Sequence, residues 1–346
     1  MSNGNSEIGT VAYLDIHGLK IQCRSQSSDL TLDLVRPFKY FIREEDGSTI
    51  QVVVKEEPPP YDQFPPLRAK FFTPRNVVYQ DGSRKIIDYF GKGVVLEENN
   101  GTSYQIYGFE RNFLSEVFYL LVLSLLGQFC DQNGLLRVHA LALSYRNKAI
   151  LVLLPQGGGK STMAFNMLRE PEFGYISDDD PIVDRFGRVL PFPRPLGGLD
   201  RSTFNGIPDR YIYSIDRMEF GIKHYIDYDY WANRVEKRHL DDIILFIGRR
   251  ILNGDPSIRQ TSELRALSTL MRDAVVGVGL YQGLEFLFNN SSWDALRKIP
   301  ALVKRFLRAL KLSHIADSYE FTISGNAEKN SRILKEFLNR LHDKDS

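Results

Sequence analysis

The chain has 346 residues, and its 44 lysines and arginines nearly cancel its 43 aspartates and glutamates, leaving a net charge of +1. That balance excludes the global positive field that steers proteins onto nucleic acid, so no nucleic acid is expected as a partner. The two cysteines, Cys23 and Cys130, lie far apart in apolar stretches, which excludes a disulfide framework or a cysteine metal site and suits a reducing cytoplasm.

The length predicts two folding units. Residues 1–7 carry no basic segment followed by an apolar core, so no secretion signal is expected. Short β-branched and aromatic runs follow at residues 11–16, 19–23, 39–42, 50–55, 76–79, 85–89, 94–97 and 104–107, separated by turn signals such as His17-Gly18, Asp81-Gly82 and Asn99-Asn100-Gly101. They predict an antiparallel β-rich unit over residues 1–108. The proline-rich stretch 56–66 cannot enter a central strand, because proline lacks the ladder donor.

The pattern changes at Phe109, where the second unit, residues 109–346, is expected to begin. Residues 110–128 read as one long helix. Their apolar run, 117–129, is too short to cross a bilayer and contains Ser124, Gly127 and Gln128, so no transmembrane segment is expected. Residues 136–144 and 148–154 predict a hairpin, 160–169 a helix stopped by Pro171, and 174–177 a strand ending in Asp178-Asp179-Asp180. Further strands are expected at 243–247 and 319–324, and a closing helix at 328–341.

The strand-loop-helix Pro155-Gln-Gly-Gly-Gly-Lys160-Ser161-Thr162 suits polyphosphate. Small residues let backbone N–H groups approach, the helix start adds partial positive charge, Lys160 reaches the terminal phosphates and Ser161 ligates magnesium. Gly157, Gly158, Gly159, Lys160, Ser161 and Thr162 are therefore the nucleotide-binding candidates, with ATP and Mg2+ as cofactors. Lys160 is expected in a solvent-exposed loop, and Leu154 stands where the usual pattern begins with glycine. Asp178 and Asp179 end the next strand. If that strand runs parallel to the one before the loop, they emerge at the same sheet edge as the phosphates, one to hold the metal and one to accept a proton. In a tight hairpin, partners sum to about 292, which sets His139 level with Leu154. Arg194, bracketed by prolines, is the candidate cation for the transferred phosphate or an acidic substrate group, ahead of Arg188 and Arg201.

The residues Val138-His139-Ala140, Leu154 to Thr162 and Ile176-Ser-Asp-Asp179 resemble the HPr serine kinase/phosphorylase family. They are closest to its HPr-kinase-related branch, which includes kinases of lasso-peptide precursors. The resemblance implies an α/β fold (α+β overall): a P-loop kinase domain whose mixed sheet is of the HPr kinase/phosphoenolpyruvate carboxykinase type. It makes His139, Asp178 and Asp179 catalytic, beside the Arg194 candidate, Lys160 and Ser161 the phosphate and magnesium ligands, and Ser161 with Asp179 the metal side, although which aspartate is base stays open. It covers residues 137–199. The glutamate signature of the bacterial HPr kinases is missing; Val189 to Leu199 resembles the related branch instead, which points away from HPr as acceptor and from reverse phosphorolysis.

The implied reaction is transfer of the ATP γ-phosphate to a serine-type hydroxyl of a peptide or protein, such as a lasso precursor, by a protein that is compatible with a homo-oligomer. A small-molecule hydroxyl kinase and a non-catalytic nucleotide-binding switch module are the rival readings. The tyrosines between 211 and 230 read either as a peptide groove or as packing. Residues 297–312 read as an amphipathic basic helix: Ile299, Leu302, Val303, Phe306, Leu307 and Leu310 are expected to cover the core, and docking to an acidic peptide or a membrane surface is the alternative reading.

Overall fold

Alternation of apolar and polar residues and well-placed turn glycines build the first sheet. The computed structural model describes residues 10–154, 158–217, 221–272 and 292–345. The chain divides into two compact units, the first built on residues up to Leu126 and the second on most of the rest, so the division falls inside a helix rather than at residue 108.

In the first unit β1 (Thr10–Ile16) and β2 (Leu19–Ser25) form a hairpin through His17-Gly18, both with positive φ. Then come α1 (Ser28–Val35), β3 (Ile42–Arg43), β4 (Ile50–Lys55), β5 (Phe71–Phe72), β6 (Val77–Asp81), β7 (Arg84–Asp88), β8 (Gly93–Glu98) and β9 (Ser103–Gly108). The nine strands order as β3-β1-β2-β4-β9-β8-β7-β6-β5. The sheet is mixed, not antiparallel, because β4 lies parallel to both β2 and β9. The crossover from β2 to β4 runs through α1, capped by the Ser27 hydroxyl, which accepts from the Leu30 N–H. Most of the strand expected at residues 39–42 is instead a 3-10 turn over Arg36–Phe41, started by Pro37.

The helix α2 (Arg111–Asn133) then buries Phe113, Leu114, Val117, Phe118 and Leu121. Phe113 sits so close to Gly93 that a Cβ there would meet its ring at 2.1 Å. The helix ends at Gly134 (φ +81), where the Leu135 N–H returns to the Cys130 carbonyl at 3.0 Å in a Schellman closure. At 23 residues α2 is long and apolar enough to cross a membrane, contrary to the reading of its apolar run as too short. With 72% of its most apolar window buried, it is a core helix. Cys23 and Cys130 are free and buried, their thiols pushed up to about 12 by burial.

The second unit is a six-stranded sheet made of β11 (Leu141–Tyr145), β12 (Lys148–Leu153), β13 (Phe173–Ser177), β19 (Asp242–Arg250), β20 (Ser257–Gln260) and β21 (Asp317–Ile323), in the order β13-β11-β12-β19-β21-β20. The short β10 (Leu136–Arg137), β14 (Ile182–Val183) and β15 (Val189–Leu190) make one small sheet, and β16 (Leu196–Gly198), β17 (Ile212–Arg217) and β18 (Gly221–Ile226) another. The helices are α3 (Lys160–Met167), α4 (Tyr228–Trp231), α5 (Glu263–Leu270), α6 (Ser292–Ile315) and α7 (Ala327–Asp345). Strands β12, β19 and β21 are parallel. Because β13 is antiparallel to β11 and β11 to β12, β13 runs the same way as β12, so both end at one edge. Leu151, Leu153, Leu245 and Ile247 face Ala266, Leu270, Ala309 and Leu312 of α5 and α6, while Phe246 turns to the other face and packs on Phe337 of α7.

Helix α6 contradicts its expected orientation. It packs inward through Ala309, Leu312 and Ser313, fastened by a bidentate pair from Arg305 to Asp131 at 2.6 and 2.7 Å, and its apolar stripe faces outward. Small side chains let the helix approach the core closely, which the larger residues of the stripe would prevent.

Candidate functional site

The hairpin β11–β12 pairs Leu141 with Val152 and Tyr145 with Lys148, a sum of 293 that would set His139 opposite Leu154. The expected continuous strand is broken here. The Val138 N–H donates to the Pro181 carbonyl at 3.0 Å and the Ala140 N–H to the Asp179 carbonyl at 3.1 Å, so residues 138–140 dock onto the chain leaving β13. The break turns the His139 ring toward the aspartates.

After β12 the chain reaches Leu154, which is buried; Gly157 lies outside the described residues. Gly158 is buried and Gly159 caps α3 with φ +90, a conformation that suits glycine. Lys160 then turns back into the fold. It is 8% exposed, donating to the Leu154 carbonyl at 2.8 Å and hydrogen-bonded to His139 Nε2 at 2.8 Å, with Asp179 Oδ1 in ion-pair range at 3.3 Å. The expectation of a solvent-exposed lysine is corrected: two hydrogen bonds and an ion pair hold the ammonium inside the fold. Since Lys160 can only donate, His139 Nε2 accepts, and Nδ1 carries the proton that faces Asp179 Oδ1 at 3.1 Å.

The Ser161 hydroxyl donates to Asp178 Oδ2 at 3.0 Å, whereas Asp178 Oδ1 is buried with no hydrogen-bond partner. Burial and the neighbouring Asp179 charge push the Asp178 carboxyl above its ordinary range; Lys223, the Ser161 hydroxyl and Arg194 only partly oppose them. Thr162 follows in the first turn of α3, half-buried. Metal-side pairing of Ser161 with Asp179 is not what the geometry gives, because Ser161 contacts Asp178 and Asp179 is engaged by Lys160, His139 and Arg194.

Arg194 is 9% exposed and points at carboxylates, with Nη1 at 2.8 Å from Asp180 Oδ2 and Nη2 at 3.5 Å from Asp179 Oδ2. Its segment is tied to β13 by the Phe192 N–H on the Ile176 carbonyl at 3.0 Å and the Tyr175 hydroxyl on the Arg194 carbonyl at 2.5 Å. Arg188 pairs with Asp184 and Arg201 with Asp209, so neither joins the cluster by these contacts.

Asp180, Arg137 and Lys223 were not singled out as site residues by the sequence. Asp180 is buried and takes Arg137 Nη2 at 3.3 Å beside Arg194. Burial alone would raise its carboxyl, but the guanidiniums of Arg194 and Arg137 outweigh it and hold it below the usual range. Lys223 reaches the site from β18 across Gly197, where a Cβ would meet its Cε at 2.5 Å. The adjacent glycines 197 and 198 were the available signal for that close approach.

His139, Asp179 and Asp180 offer ligand atoms within 4.8 Å of one another, a spacing that suits a cation. Lys160, Arg194 and Arg137 already surround those atoms with positive charge, so a divalent ion is better matched to Ser161 and the unpaired oxygen of Asp178. The tyrosines after Gly206 pack on one another, Tyr213 on Tyr225 at 5.5 Å and Tyr211 on Tyr230 at 5.4 Å, and Trp231 packs on Phe165 of α3, which favours packing over an open groove. A scan against protein-family models and a search of curated proteins both returned no match for this chain.

Proposed function

We propose that this protein is an ATP- and Mg2+-dependent kinase of the HPr-kinase-like type that transfers the γ-phosphate to a serine-type hydroxyl of a peptide or protein. A ribosomally made precursor peptide, as in the lasso-peptide pathways, is the candidate acceptor. The observation that carries the reading is the Ser161–Asp178 contact beside Lys160, at the edge where β12 and β13 both end. A hydroxyl and a carboxylate with one free buried oxygen form an oxygen donor set for a hard divalent ion. Lys160 and the start of α3 supply the positive charge that phosphates need.

Ser161 and Asp178 would hold Mg2+, which supplies neutralisation of phosphate charge when bound. Lys160 exchanges the Leu154 carbonyl for a phosphate oxygen. Asp179 is the most accessible of the three aspartates, its side chain 28% exposed against 3% for Asp180, and it accepts the proton of the incoming hydroxyl. His139 Nδ1 lies 3.1 Å from one oxygen of Asp179 and Arg194 approaches the other, so the carboxylate is flanked from two sides. Arg194, held by Asp180, thus positions Asp179 rather than reaching out to a substrate carboxylate. Lys223 adds a further cation facing Asp178.

Incubation of the folded chain with labelled ATP, Mg2+ and a panel of serine peptides and metabolite alcohols, read by mass spectrometry, tests the reading. Phosphoserine in a peptide is expected. Inert peptides beside a metabolite that turns over would replace the acceptor; nucleotide binding with no acceptor modified would favour a switch module.

A further inference from the structure

Helix α6 presents Ile299, Leu302, Val303, Phe306, Leu307 and Leu310 to solvent, each 37–56% exposed and all on one stripe. Between Asp294 and Asp317 the sequence has six lysines and arginines and no acidic residue. Two of the six are spent inward: Arg305 on Asp131, and Arg308 on the Leu135 carbonyl at 3.4 Å. Lys304 and Lys311 border the stripe and are exposed, and Lys311 Nζ donates to the Arg185 carbonyl at 2.9 Å. That bond ties in the turn carrying Phe186, 59% exposed with Arg185 and Arg188 stacked on its ring at 4.8 and 5.2 Å.

A contiguous apolar face of this kind marks an interaction surface. A second copy of the chain would bring the same excess of positive charge against itself, so charge selects an anionic partner. The stripe has no hydroxyl, amide or ring nitrogen to fix a register against a folded protein. Aliphatic and phenylalanine side chains rimmed by lysines are the composition of a helix lying in a lipid interface, its apolar side among acyl chains and its lysines reaching the headgroups. We infer that α6 docks this protein onto an anionic lipid surface through Leu302, Val303, Phe306, Leu307 and Leu310, with Lys304 and Lys311 meeting the headgroup charge.

Co-sedimentation of the full chain with phosphatidylcholine vesicles, with and without phosphatidylserine, tests this. Binding is expected to the phosphatidylserine vesicles only, weakening as salt rises. Lys304→Gln should weaken it by about five-fold, the worth of one lysine near an anionic surface. Val303→Glu with Leu307→Glu should abolish it while the thermal midpoint stays put, since both side chains are exposed; Ala301→Ser, outside the stripe, controls for helix integrity. Equal binding to neutral vesicles, no binding to either, or full binding by the double variant would overturn the inference. So would concentration-dependent dimerisation that the double variant removes, or capture of an acidic amphipathic peptide in preference to vesicles.

Discussion

Two acid–base clusters, one in each unit, respond to burial in opposite ways. In the first unit Glu97 on β8 lies cross-strand from Lys85 on β7, with Nζ at 3.7 Å, and its carboxyl is raised because burial outweighs that single lysine. In the second, Asp180 is more deeply buried, yet Arg194 at 2.8 Å and Arg137 at 3.3 Å hold its carboxyl low. Burial penalises charge in both; the number and closeness of fixed cations decide the sign. One cluster tolerates a neutral acid, while the other is built around a charged one.

Asp180→Asn should break this contrast most visibly. It strands two guanidiniums in the interior, and an expected loss of about 3–5 kcal/mol follows from breaking a buried pair on one side only. Urea unfolding would read it, and a loss below about 1 kcal/mol would mean that the cluster is solvated like a surface pair. Phosphoryl transfer should fall too, since Arg194 loses the anchor that holds it near Asp179.

Removing a cation comes next. Lys160→Met should lower turnover by about a hundred- to a thousand-fold, the scale of deleting one charge-stabilising donor. Stability should fall by only about 1 kcal/mol, because one flexible side chain leaves its hydrogen bonds. Turnover near that of the parent in a folded variant would remove the lysine from the site.

The two aspartates nearest the loop sharpen the comparison by function. Asp178→Asn should raise the Mg2+ concentration needed for half-maximal activity, and Asp179→Asn should lower turnover with that requirement little changed. Unaltered Mg2+ titrations for both would refute the division of roles.

The smallest effect lies in the first unit. Glu97→Gln should change stability by less than about 1 kcal/mol, as for a partly exposed pair. Its pH dependence has the opposite sign to that of Asp180. With its pKa depressed, Asp180 contributes stability that is present above the unfolded value and lost as pH falls through the lower folded value. With its pKa raised, Glu97 favours the fold most below its unfolded value and loses that contribution as pH climbs to the folded one. Unfolding midpoints across the acid range should therefore flatten at low pH in Asp180→Asn and not in Glu97→Gln.

The hairpin register over Leu141 to Val152, and the strand ending at Ser177, were legible because register and strand ends follow from local pattern. The break at residues 138–140 was not, since it depends on bonds to Asp179 and Pro181 from another part of the chain. Asp180 looked like one more acidic turn residue; its role needs Arg137 and Arg194, which are adjacent only in space. The parallel placement of β4 escaped for a related reason: a strand's run of residues 50–55 is the same whichever neighbour it meets, and the short crossover helix α1 has no strong periodic signal. The outward face of α6 ran against its amphipathic pattern, because a bidentate arginine and small residues won the core side.

Leu154 stands where the loop pattern has its first glycine, and its partner sits on the neighbouring strand. A Cβ on Gly248 of β19 would come within 2.1 Å of Leu154 Cδ2 and 2.8 Å of the Leu153 carbonyl. Bulk taken on at the mouth of the loop is matched by bulk given up beside it. The two positions are therefore epistatic: Gly248→Ala should be far more damaging in the parent than in a Leu154→Gly background, where the side-chain clash is gone and only the backbone contact remains. An engineer who restores the usual glycine at 154 inherits a hollow over β19, and filling it from residue 248 is the change the parent chain forbids.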